Sequence, residues 1–95
     1  MSALFIAVSR ITDREKLNQY LAGAPASLAG RPIEVLAFTE DGDTVEGAPP
    51  GSRVVVLKFP DKAAAMEWYN SPEYQAVVKL RLDGTEGFSL LCSGM

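Results

Sequence analysis

The sequence predicts an α+β domain in which a four-stranded antiparallel sheet, built in βαββαβ order, carries its helices on one face. Three observations predict it. Four strand-like runs alternate with helix-like stretches, with a helix pair in the second helical position. The 95 residues are the length of one domain, residues 1–95. The strand-like runs are apolar on both of their faces, whereas helices returning from right-handed crossovers cover only one. Two-sided apolar strands need two covers. A second copy of the chain, packed sheet to sheet, is the simplest second cover, so a homodimer is expected.

Leu4 to Arg10 is the first strand, with Leu4, Ile6 and Val8 on one side and Phe5, Ala7 and Ser9 on the other. Thr12-Asp13-Arg14-Glu15 reads as a capping box, Thr12 being the N-cap and Glu15 reaching back from N3. Leu17, Tyr20, Leu21 and Ala24 form the buried stripe of the first helix. Pro25 is expected to break or kink it, with Leu28 in a short final turn and Gly30 past the end. Ile33 to Thr39 is the second strand. Glu40-Asp41-Gly42-Asp43-Thr44 is an acidic turn, after which Val45 is expected to resume pairing. With Glu46 it offers four acids, but their spacing does not follow a calcium loop: from Asp41 the fifth position is Val45 and the glycine is misplaced.

Ala48-Pro49-Pro50-Gly51 is a stiff loop, and Arg53 to Phe59 is the third strand. Pro60 lacks an amide hydrogen and stops that strand. Asp61 caps a helix through Ala63, Ala64, Ala65 and Met66, all strong helix formers. Ala65, Trp68 and Tyr69 share its inner face. Asn70 ends it. Ser71 caps a second helix with Pro72 at its first position and Glu73 in its first turn. Tyr74, Val77, Val78 and Arg81 then recur at i, i+3, i+4 and i+7. Asp83-Gly84 is read as a turn, and Phe88 to Cys92 as the last strand.

The stretch from Phe59 to Gln75 holds the one Trp and two of the three Tyr. Phe-Pro, an Ala run, then Trp-Tyr-Asn-Ser-Pro-Glu-Tyr-Gln and Arg81 resemble the domain-of-unknown-function family thirteen-thirty. Thr12-Asp13, Tyr20, Glu46-Gly47 and Arg53 extend the resemblance over nearly the whole chain. It implies a ferredoxin-like half of a dimeric α+β barrel, pairing through its sheet, and implies no established activity. The family usually opens its first strand with Tyr followed by an aromatic; here those positions are Leu4 and Phe5.

Composition narrows the function classes. An apolar fraction of 47% suffices for a core, and a net charge of −3 argues against nucleic-acid or anionic-membrane partners. No apolar run reaches the ~18 residues of a membrane span. The start lacks a basic leader and reads as a strand. Cys92 is the single cysteine, which points to a reducing cytoplasm. The absence of His removes His-centred triads, His acid–base chemistry and the usual zinc sites, and it denies this chain the His ligation by which some barrel relatives hold haem. No cofactor or metal is expected. Arg53-Val54-Val55-Val56-Leu57-Lys58-Phe59 faintly echoes an RNA-binding strand, but its middle positions lack the aromatics that stack bases.

The candidate site is Arg53, Arg81, Glu46, Trp68, Tyr69, Tyr74 and Tyr20, which the family pattern keeps together with Asp13 and Ser71. One reading has the arginines snorkelling or paired with Glu46 or Asp13. The other makes them a clamp for an anion or carbonyl, because guanidinium presents forked donors. Trp68, Tyr69 and Tyr74 are either core or the wall of a pocket. Ser71 is a cap, and Cys92 is expected in the core. Three functions remain open: a small-ligand domain, extending by fold analogy to a cofactor-independent monooxygenase or isomerase; a sensing module; and a purely structural dimer.

Overall fold

A computed structural model describes all 95 residues. The order is β1 (Ala3–Ile11), α1 (Arg14–Leu28), β2 (Glu34–Thr39), β3 (Arg53–Phe59), α2 (Lys62–Tyr69), α3 (Pro72–Gly84) and β4 (Thr85–Ser93). The strands form one antiparallel sheet in the order β2-β3-β1-β4, which makes β2 and β4 its edges. This is the ferredoxin-like α+β architecture, with the second helical position split at Asn70-Ser71.

Alternation along the central strands decides what faces the helices. Ala3, Phe5, Ala7 and Ser9 of β1 and Arg53, Val55, Leu57 and Phe59 of β3 are all buried on the helix side. Leu17 and Tyr20 from α1, Ala65 and Trp68 from α2, and Tyr74 and Val78 from α3 close over them. Gly23 lets α1 and α3 approach closely: a Cβ there would fall 2.8 Å from Cγ1 of Val77.

The other sheet face has no cover. Register pairs Ile6 with Val56 and Leu90, and Val8 with Val54 and Phe88, so these apolar side chains share that face. Phe88 and Leu90 are 49% and 56% exposed. Cys92, opposite Leu4, belongs to this face and is half-buried; it is not part of the core.

Several local expectations are corrected. The N-cap of α1 is Asp13, whose carboxylate accepts from the Lys16 amide at 3.1 Å. The amides of Thr12 and Asp13 both donate to the Gly84 carbonyl, at 2.9 and 3.1 Å. Thr12 is thereby held at the sheet end, and the cap amide that Glu15 would have satisfied already has a partner. Pro25 does not break α1, which continues to Leu28. It sits late in the helix, and the hydroxyl of Ser27 donates to the Ala24 carbonyl at 2.6 Å in the turn that follows. Val45 pairs with nothing and is 90% exposed. Asp83-Gly84 is the end of α3, and β4 begins immediately at Thr85, whose hydroxyl donates to the Arg81 carbonyl at 2.7 Å. The Asp61 and Ser71 caps are as expected, accepting from the amides of Ala64 and Tyr74 at 2.7 and 3.2 Å. No helix is long and apolar enough to cross a membrane.

Candidate functional site

Between the helices and the sheet lies a cavity of about 250 Å³. Its floor is Phe5 and Ala7 of β1 with Val55 and Leu57 of β3. Its wall on the α1 side is Leu21, Ala24, Pro25 and Leu28; Val35 and Phe38 of edge strand β2 flank its mouth, both more than half exposed. Five of the seven candidate residues line it: Tyr20, Arg53, Trp68, Tyr74 and Arg81. They arrive from four elements. Arg53 opens β3 and keeps the inward phase of Val55 and Leu57. Arg81 lies two turns along the stripe from Tyr74 on α3. Trp68 and Tyr74 meet across the Asn70-Ser71 break with ring centroids 4.1 Å apart.

Tyr69 and Glu46 lie elsewhere. Tyr69 is half-buried against Phe5 and Trp68 and borders a separate cleft. Glu46 is exposed in the loop between β2 and β3, outside the cavity lining. No signal in the sequence sets that loop against the strands, and its apparent proximity to Arg53 is one of chain position alone.

The polar inventory of the cavity is cationic and donor-rich. Arg53 and Arg81 are only 4% and 8% exposed. Neither has a carboxylate within ion-pair distance: the ion pairs are Arg10–Glu86, Arg14–Glu40, Arg31 with Glu67 and Glu73, and Lys79–Asp83. The expected partners are absent, since Asp13 caps α1 and Glu46 is in solvent. Glu40 is engaged by Arg14 at 2.7 Å, and this hydrogen bond holds its carboxyl below the usual range. Arg53 lies 5.7 Å from the Phe38 ring centroid, a cation–π contact. Burial pulls the Arg53 guanidinium below the ordinary arginine range, and the charge of Arg81 acts in the same direction.

The hydroxyls of Tyr20 and Tyr74 are hydrogen-bonded at 2.9 Å. Only one of the two protons is used in that bond, which leaves the second to donate elsewhere. Burial, with Tyr74 adding to it, pushes the Tyr20 hydroxyl far above the ordinary tyrosine range, while both guanidiniums pull the other way. Trp68 is fixed by its indole N–H, which donates to Ser27 Oγ at 3.1 Å. Ser27 and Phe38 were not singled out in the sequence, and Leu21, Ala24 and Leu28 of α1 were read there as packing residues, not as a cavity wall. Ser27 continues the Tyr20–Ala24 stripe, and that spacing was the one available signal. The arrangement can hold an apolar body against aromatic and aliphatic walls and can donate hydrogen bonds to an oxygen bearing negative charge.

A ferredoxin-like α+β sandwich enclosing such a cavity defines the class. The chain belongs to the family described as Domain of unknown function (DUF1330), whose model matches residues 2–95. No curated protein matches the sequence. Among solved structures, a protein of unknown function from Rhodopseudomonas palustris is similar with a TM-score of 0.79 and 17% identity, over 99% of this chain and 82% of that one. The cofactor-independent oxygenase SnoaB from Streptomyces nogalater is similar with a TM-score of 0.67 and 13% identity, over 99% and 93% of the two chains. A dimeric ferredoxin-like protein of unknown function from Thermobifida fusca gives 0.66 and 15%, over 99% and 92%. At these identities the likeness is one of fold.

Proposed function

We propose that this protein is a receptor for a small molecule with an apolar ring or chain and one anionic or carbonyl oxygen, acting as a homodimer joined through the open sheet face. The observation that carries the reading is the pair of buried guanidiniums without a carboxylate. A buried cation without a partner is strongly unfavourable, and a fold that keeps two of them in one apolar cavity is suited to an anion. The cavity volume of about 250 Å³ lies just below the ~300–1,000 Å³ usual for drug-sized ligands, so a single small ring system suits it. The oxygen would lie between Arg53 and Arg81, with the free Tyr proton as a further donor and the ring against Trp68 and Phe5.

Binding without turnover is favoured over catalysis. The lining holds no carboxylate, thiol or lysine, and Tyr20 keeps its proton too firmly to act as a base. The dimer is supported by the uncovered apolar face of β1, β3 and β4, and by the description of the Thermobifida neighbour as dimeric. A single thiol suits a reducing cytoplasm.

The test uses Trp68, the one tryptophan, as reporter. Titration with a panel of small aromatic carboxylates and quinones should change its fluorescence saturably for some members. Arg53→Met and Arg81→Met should abolish the change in protein that remains folded. An unaltered response in both variants would overturn the reading.

A further inference from the structure

Edge strand β2 is irregular where it borders the cavity. It pairs Val35 with Leu57, then Ala37 with Val56 and Phe38 with Val55, so Leu36 is an extra residue absorbed in a β-bulge. In a regular strand Val35 and Phe38, three apart, face opposite sides of the sheet. With the bulge both stand opposite inward-facing residues of β3, and both line the cavity. Strict alternation from Val35 would have placed Phe38 on the open sheet face; the bulge re-aims it to the helix side.

Phe38 differs from every other aromatic of the lining. Phe5, Tyr20, Trp68 and Tyr74 are packed in the core, whereas Phe38 is 58% exposed. It lies on the helix side of an edge strand, so a second copy seated on the open sheet face leaves it uncovered. Its ring centroid is 5.7 Å from the guanidinium carbon of Arg53. A carboxylate held by Arg53 therefore brings the group that bears it beside this ring. Where that group is aryl, the two rings can meet edge-to-face or offset, a gain that a saturated ring of the same size does not make. Val35, the other β2 residue at the mouth, is aliphatic and confers no such preference.

We propose that Phe38 is the specificity-determining residue of the cavity, selecting carboxylates borne on an aromatic ring over saturated-ring carboxylates of the same charge and similar size. This rests on the reading of the cavity as an anion receptor and narrows its ligands to aryl carboxylates. Trp68 and Phe5 hold the inner side of the ring, Arg53 its carboxylate, and Phe38 the flank that otherwise stays in water. In the complex Phe38 gains the apolar neighbour that it lacks without ligand.

The experiment measures, by titration calorimetry, the affinities of benzoate and cyclohexanecarboxylate for the wild type, Phe38→Leu and Phe38→Tyr. The wild type should prefer benzoate by about three- to tenfold, and Phe38→Leu should bring the two affinities within about twofold by weakening benzoate alone. Phe38→Tyr, which keeps an aromatic ring at the mouth, should retain the preference. The proposal is overturned if the wild type binds both carboxylates equally, if Phe38→Leu keeps the preference, or if Phe38→Tyr loses it. It is also overturned if Phe38→Leu weakens both carboxylates alike, because the ring then acts only by holding Arg53 in place. In each of these cases the cavity still binds a carboxylate, and only the role of Phe38 falls. If neither carboxylate binds the wild type, the receptor reading falls and this proposal with it.

Discussion

Tyr20 gives the residue scale its sharpest consequence. Its hydroxyl lies in the cavity, bonded to Tyr74, and burial raises its pKa above the ordinary value of 10.0. A raised folded-state value means that the unfolded chain gives up this proton first. The stability tied to Tyr20 is therefore complete below about pH 10 and declines above it, by up to ~1.4 kcal/mol per pH unit. Denaturant unfolding at increasing alkaline pH should show a shallower decline for Tyr20→Phe than for the wild type. At neutral pH the same variant should lose only about 0.5–1.5 kcal/mol, the worth of one hydrogen bond. An identical alkaline slope in both proteins would place this hydroxyl in water. Residues on periodic stripes were legible from sequence at this scale: Tyr20 on α1, Trp68 on α2, and Tyr74 and Arg81 on α3 all point where their spacing directs them. Glu46 was not, because a loop residue has no period to fix its direction. Nor was the Trp68–Ser27 bond, which joins positions 41 apart.

Elements were read well where local chemistry sets their ends and less well where distant strands do. The Asp61 and Ser71 caps, the Pro60 strand stop and the Pro72 helix start are local, and they hold. The start of α1 is not local. The Gly84 carbonyl takes the amides of Thr12 and Asp13, which moves the cap one residue onward from the Thr12 that the motif suggests. Asp13→Ala should therefore destabilise the protein by about 1 kcal/mol and Thr12→Ala by no more than a few tenths. Chemical denaturation of the two variants decides this, and the reverse order would restore Thr12 as the cap. The early start of β4 has the same origin. Thr85-Glu86-Gly87 carries no strand pattern of its own and is drawn into the sheet by pairing with Ile11, Arg10 and Ser9.

At the scale of the whole molecule, one helix layer covers one side of a sheet whose other side is also apolar. Sedimentation at micromolar concentration should give about twice 10.2 kDa, and Leu90→Glu, a charge placed on the open face, should give the monomer. A wild-type monomer would mean that this face tolerates water. The two-sided apolar strands made that face legible in the sequence, and the arginines and aromatics pointed to a pocket between sheet and helices, but its walls from α1 and β2 emerged only when helices and sheet were assembled. Its arginines supply the most direct measurement of the account. Calorimetric unfolding of wild type, Arg53→Met and Arg81→Met should be compared with and without a small aromatic carboxylate found to bind the wild type. If the guanidiniums await a ligand, both variants without ligand will be as stable as the wild type or more so, by about 1–2 kcal/mol, since each removes an unpaired buried charge. Only the wild type will then be stabilised by the carboxylate. A loss of about 3–5 kcal/mol in either variant without ligand, the signature of a broken buried pair, would show that the arginines hold the fold together and would contradict the account.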